Sequence, residues 1–245
     1  MWDRPVRMGQ LVLGPAERAD VIVDFSSLAG SALTLVNNVP AKPVSTPAPP
    51  LPAVMQFRVG RKVTQPRAPR HPGGTARARR APARPGRHPL HHPERGRTGD
   101  TPLVLNLDAV HFGETFQKPR AGAVEDWVYV NLTGDTHPMH VHLVNFQVIG
   151  QTPFDADAYT QAHGGPDGVP GGISPAPFAT GPMEPPAAAE RGFKDTVKAN
   201  PGYFTTIRAR FDLPSGVRAP QTYVHHCHIL EHEDNDMMQP FTVVP

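Results

Sequence analysis

Thirty-one of the 245 residues are proline, and that density constrains the fold more than any other feature. Proline lacks a backbone N–H and its ring breaks a helix interior, so long helices are excluded over most of the chain. What remains is short extended segments separated by turns. In Ala19–Phe25, Val21, Val23 and Phe25 point one way and Asp20 and Asp24 the other. Ala53–Val59 alternates in the same way, and ALTLV at 32–36 makes a third strand. Alternation with period two is what a half-buried strand needs. From residue 101 the pattern resumes as LVLNL (103–107), WVYVNL (127–132), LVNFQVI (143–149), FTTIRARF (204–211), QTYVHHCHI (221–229) and FTVV (241–244). Strands of this length predict an antiparallel barrel or sandwich. Residues 151–190 read as a Gly/Pro/Ala-rich loop inserted between them.

Charge is uneven. Residues 61–100 carry 11 basic and 2 acidic groups, while the whole chain has a formal charge of only +2. Val63 and Leu90 are the only larger apolar residues in that segment, which cannot bury enough surface to offset its chain entropy. It reads as an Arg/Pro-rich disordered linker, or as translation of a GC-rich gene in a shifted frame. A nucleic-acid-binding arm is the weaker reading, because the remaining residues are net acidic. The single cysteine excludes an internal disulfide. No apolar run approaches the roughly 20 residues of a membrane span, so no membrane partner is expected.

The chemistry concentrates in two clusters. The first is His137-Pro-Met-His140-Val-His142; the second is His226-Cys227-His228-Ile-Leu-Glu-His232, followed by Met237. On a strand, His226 and His228 share one face and Cys227 takes the other. One tripeptide then serves two metal centres, one on each side. One thiolate, two imidazoles and a weak thioether define a blue-copper electron-transfer site. Cys227, His232 and Met237 supply three of these donors, and His137 is the candidate for the fourth. His140, His142, His226 and His228 are left for a second site. Zinc is the chemical rival, but a four-ligand zinc site does not need seven donors and a thioether. A cysteine nucleophile gives no reason for so many histidines.

HPMHVHLVNFQVI (137–149) and HCHILEHEDNDMMQPF (226–241) resemble the two C-terminal copper motifs of multicopper oxidases, the group that includes laccases, bilirubin oxidases, phenoxazinone synthases and spore-coat laccases. LVLGPAERADVIVDFS (11–26) and FKDTVKANPG (193–202) also resemble segments of that family. The resemblance implies an all-β, cupredoxin-like Greek-key β-barrel. Residues 1–60 would be part of a middle cupredoxin domain, 61–100 the linker or frame-shifted stretch, and 101–245 a complete C-terminal cupredoxin domain. It implies type-1 copper at His137, Cys227, His232 and Met237, type-2 copper at His140, and the type-3 pair at His142, His226 and His228. By the same analogy His232 admits electrons from a small aromatic reductant, Cys227 passes them on, O2 is the acceptor, and Glu233 relays protons. A solvated acid is the other reading of Glu233. The family's three-copper cluster takes eight histidines, four of them from an N-terminal cupredoxin domain with two His-X-His motifs. No His-X-His precedes residue 137 here. The expectation is therefore a complete type-1 site and half of a trinuclear site.

Overall fold

A computed structural model describes residues 6–37, 53–61, 117–163, 173–235 and 237–245, together with the backbone of 103–106. The expectations for residues 62–100 lie outside the described residues. Contacts divide the chain into two units, Asp20–Ala78 and the combination of Met1–Ala19 with Arg79–Pro245.

The smaller unit is a two-stranded antiparallel sheet, β1 (Ala32–Val36) with β2 (Ala53–Arg58). Phe25 packs on Phe57 with ring centroids 5.2 Å apart. The strand expected at Ala19–Phe25 does not form, and Val21, Ile22 and Val23 are exposed. Alternation supplies a strand with two faces, but a strand persists only with a ladder partner, and among the described residues none pairs with this segment. Leu35, Val36, Val54 and Met55 are exposed as well.

The larger unit is built from two sheets. One has the order β3 (Leu103–Asn106), β4 (Val124–Val130), β9 (Tyr203–Arg210), β6 (Phe146–Pro153), β7 (Phe193–Lys194). The other runs β11 (Met238–Val243), β10 (Gln221–Cys227), β5 (His137–Val141), β8 (Thr196–Ala199). Among the described residues every pairing between two of these strands is antiparallel except β3 with β4, and single parallel bridges join Gln117 to Phe241 and Arg120 to Val244. Alternate residues of both sheets meet in one core: Trp127 and Tyr129 from β4, Phe146 from β6 and Ile207 from β9 face Met139, Val141, Cys227, Phe241 and Val243. Two sheets closed over a shared apolar interior, with β5 moved out of the sheet that holds β4 and β6, make the all-β, cupredoxin-like architecture that was expected.

The stretch 151–190 is more than a loop. Strand β6 runs on to Pro153, and α1 (Ala156–His163) follows. Phe154 and Tyr159, with Ile173 and Phe178 beside them, cover Val128, Val130 and Phe204 on the outer face of the five-stranded sheet. This explains the unbroken apolar run WVYV: β4 is covered on both faces. Gly150 sits at the bulge where the 183–184 backbone crosses β6, and a Cβ there would lie 2.5 Å from the Glu184 carbonyl oxygen. No described helix is long and apolar enough to cross a membrane.

Candidate metal centre

Strands β5 and β10 are neighbours, and their register builds the site. His226 lies opposite His140, and Cys227 lies opposite Met139. Directly paired residues share a face. His140 and His226 are therefore on one side, and Cys227 is on the core side. His137 joins Cys227 by parity alone, since residues 137, 139 and 141 of β5 alternate with 140 and 142.

Beyond β10 the chain folds back through the one-turn helix α2 (Leu230–Glu233). The Met237 N–H donates to the His232 carbonyl at 2.9 Å, and the Cys227 N–H donates to the Met237 carbonyl at 3.0 Å. This return brings His232 over the strand end. The Cys227 Sγ lies 3.6 Å from His137 Nδ1 and 3.7 Å from His232 Nδ1, and the two Nδ1 atoms are 3.2 Å apart. Bonds of about 2.0 Å to nitrogen and 2.3 Å to sulfur would space three donors roughly 3.3–3.7 Å apart around one transition-metal ion. The three residues fit such an ion. Met237 packs against the core beside them.

Protonation states suit the same use. Burial, aided by neighbouring His232, lowers His137 to about 4, so its ring is neutral with a free lone pair. Burial raises the Cys227 thiol to about 11, Glu233 adding to the rise and the Ile229 N–H, 3.4 Å from Sγ, opposing it. A metal must therefore displace the thiol proton. Between about pH 8 and 10, above the ordinary imidazole range and below the thiol value, affinity should tighten about tenfold per pH unit. Titration calorimetry in buffers of different ionisation enthalpy checks the release of one proton per metal. A flat profile would remove Cys227 from the ligand set.

The second cluster occupies the opposite face. His140, His226 and His228 bring ring nitrogens within 4.8 Å of one another. His142 Nε2 lies 3.3 Å from His226 Nε2. His140 Nδ1 donates to the Asp195 carbonyl at 2.7 Å, which leaves Nε2 as its free donor atom. Burial and the neighbouring rings of His142, His226 and His228 lower His140 to about 4. His142 and His228 are also lowered, by burial first and then by neighbouring imidazoles. With His140 Nε2 free and the His142 and His226 Nε2 atoms this close, the crowded imidazoles make a donor set that is also suited to a metal. Glu233 Oε2 reaches the rim, 3.5 Å from His226 Nδ1 and 4.0 Å from His228 Nδ1.

Sequence reading missed the supports. Asp195, whose carbonyl orients His140, is itself paired with Arg18. His137 rests on Thr133, four residues away. His225, read as one more strand residue, is buried against Trp127, Tyr129 and Phe241 on the core side. An N-x-T spacing six residues before the first cluster was the only signal for Asn131 and Thr133, and alone it is too common to read.

Comparison with known proteins adds what geometry leaves open. A laccase from Bacillus stratosphericus is 38% identical over 98% of this chain, which spans 44% of that protein. A laccase from Bacillus subtilis is 34% identical over the same share of both chains. The chain thus spans less than half the length of these curated relatives. Among solved structures, a multicopper oxidase from Aquifex aeolicus aligns with 61% of this chain and 31% of its own, at 24% identity and a TM-score of 0.41. The sequence model of the family described as multicopper oxidase matches residues 81–245. That span holds every histidine and the cysteine of both donor groups, and its length makes this chain a member of the multicopper oxidase family, with copper as the metal the family implies.

Proposed function

We propose that the chain is the C-terminal, copper-holding part of a laccase-like oxidase. It serves the one-electron oxidation of a small aromatic reductant of phenolic, aminophenolic or bilirubin-like type, with O2 as the final acceptor. The observation that carries this reading is the triangle of Cys227 Sγ, His137 Nδ1 and His232 Nδ1, backed across one strand by a second group of imidazoles.

Copper, when bound, supplies the one-electron redox chemistry. His137, Cys227, His232 and Met237 hold type-1 copper, His140 type-2, and His142, His226 and His228 the type-3 pair. His232 is half-buried and gives electrons their entry edge. Cys227 is joined through its own backbone to His226 and His228, so the sulfur and both imidazoles on the far face share one short covalent path. Glu233 Oε2, 3.5 Å from His226 Nδ1 and 4.0 Å from His228 Nδ1, is placed to relay protons toward reduced oxygen. Residues 1–60 belong to a middle cupredoxin domain and 101–245 form the C-terminal one. The other four histidines of the family's cluster come from an N-terminal cupredoxin domain. The alternative, a non-catalytic copper binder or electron carrier, is favoured by a complete Cys227 triangle beside a half-sized histidine group.

Copper analysis, absorption and oxygen uptake with a simple phenol test the proposal on the purified chain. The expected result is a blue chromophore from one tightly held copper, with little oxygen consumed. Sustained oxygen consumption would overturn the half-site reading. Absence of both copper and colour would overturn the copper reading.

A further inference from the structure

We infer that Thr133, locked by Asn131, is a positioning residue that holds His137 in the Nε2–H form and so aims its Nδ1 lone pair at Cys227 and His232. The inference rests on the type-1 reading for its consequence, though its hydrogen-bond argument does not.

The Asn131 amide is fixed first. Its Nδ2 donates to the Asp135 carbonyl at 2.7 Å and to the Ala199 carbonyl at 2.9 Å. Its Oδ1 accepts the Thr133 N–H at 2.9 Å. A flipped amide would set its NH2 against that N–H and its oxygen against two carbonyls, so the orientation is determined. Asn131 Oδ1 also lies 2.8 Å from Thr133 Oγ1. An amide oxygen only accepts, so at 2.8 Å the hydroxyl proton lies between the two oxygens. The Asp135 carbonyl, 3.4 Å from Oγ1, is the more distant oxygen acceptor, and donation to it would leave Oγ1 an acceptor all the same. Thr133 Oγ1 is then left with acceptor sites alone. The Asp135 N–H fills one at 3.3 Å, and His137 Nε2, at 2.6 Å, must donate to the other. A neutral imidazole carries one proton, so Nδ1 is left bare. That bare nitrogen is the atom 3.6 Å from the sulfur and 3.2 Å from His232 Nδ1.

The chain of bonds also limits ring rotation. Asn131 ties the end of β4 to Ala199 on β8, and β8 pairs with β5 at His137. The ring of His137 is therefore braced at Nε2 by a segment anchored to both sheets. A half-buried hydroxyl supplies the contact, so it can be removed without opening the core.

The test uses the full chain before and after copper loading. Long-range proton–nitrogen NMR of the metal-free chain reads the His137 tautomer directly. Wild type should show Nε2–H. Thr133→Val should lose this preference, and Thr133→Ser, which keeps the hydroxyl, should restore it. If the valine variant does not fold, Thr133→Ala removes the same group without bulk. After loading, Thr133→Val should bind copper roughly 10–100-fold more weakly, with a shifted sulfur-to-copper absorption, while Thr133→Ser stays near wild type. A His137 that is Nδ1–H in wild type, or a tautomer unchanged by the valine and alanine variants, would overturn the inference. If the tautomer behaves as expected but wild type takes up no copper, the positioning role stands and the copper reading fails.

Discussion

Replacing Cys227 with serine is expected to abolish the blue absorption and to weaken copper binding by more than about 100-fold, beyond the cost of losing an outer-shell partner. The thiolate is the strong soft donor of the proposed site, Met237 adding only a weak thioether, and the intense colour expected there is a sulfur-to-copper transition that an alcohol oxygen cannot supply. The fold should survive. Cys227 is fully buried, and the serine hydroxyl needs a partner that the Ile229 N–H, now bonded to Sγ, cannot wholly provide. A stability loss of about 1–3 kcal/mol follows. Absorption, copper stoichiometry and circular dichroism separate the two effects. Unchanged colour and copper content in the serine variant would dismantle the proposed site.

Glu17→Gln should cost about 3–5 kcal/mol, because it removes one member of a buried charge network and strands the others. The Glu17 carboxylate is 2.8 Å from both Lys194 Nζ and Lys198 Nζ, and Lys198 continues to Glu190 at 2.6 Å. Lys194 also donates to the Arg18 carbonyl at 2.9 Å. The network pins the 14–18 segment against β7 and β8, the strands that flank Asp195 and so place the carbonyl holding His140. A drop in melting temperature of roughly 10 °C is expected.

The pH dependence has a definite sign. Burial raises the Glu17 pKa, but hydrogen bonds from Lys194, Lys198 and the Gly14 N–H outweigh it and leave the net value below that of a free carboxylate. A group depressed on folding stabilises above its unfolded pKa, and that stability disappears as pH falls through the folded value. Wild type should therefore lose stability on acidification below about pH 4 more steeply than Glu17→Gln. Parallel acid profiles of the two would count against the network.

The two donor clusters were legible because their logic is local. Side chains two apart on a strand share a face, so His226 and His228 must oppose Cys227 wherever β10 lies. Ala19–Phe25 shows the limit of the same rule: its alternation is real, yet no partner strand among the described residues turns it into a sheet. The 151–190 stretch failed for a related reason. Its glycines and prolines hid Phe154, Tyr159 and Phe178, whose value lies in covering β4.

The amino-acid sequence alone determined the β class, the two donor clusters and the division of the His226-Cys227-His228 tripeptide between opposite faces, because backbone geometry sets all three within a few residues. Only the tertiary structure decided that His137 meets Cys227 from 90 residues away, that Thr133 and Asn131 brace that ring, and that Glu17 clamps the β7–β8 corner. Those contacts depend on strand register and sheet closure. Many sequence positions are chemically able to make each of them, and only the closed core selects which do.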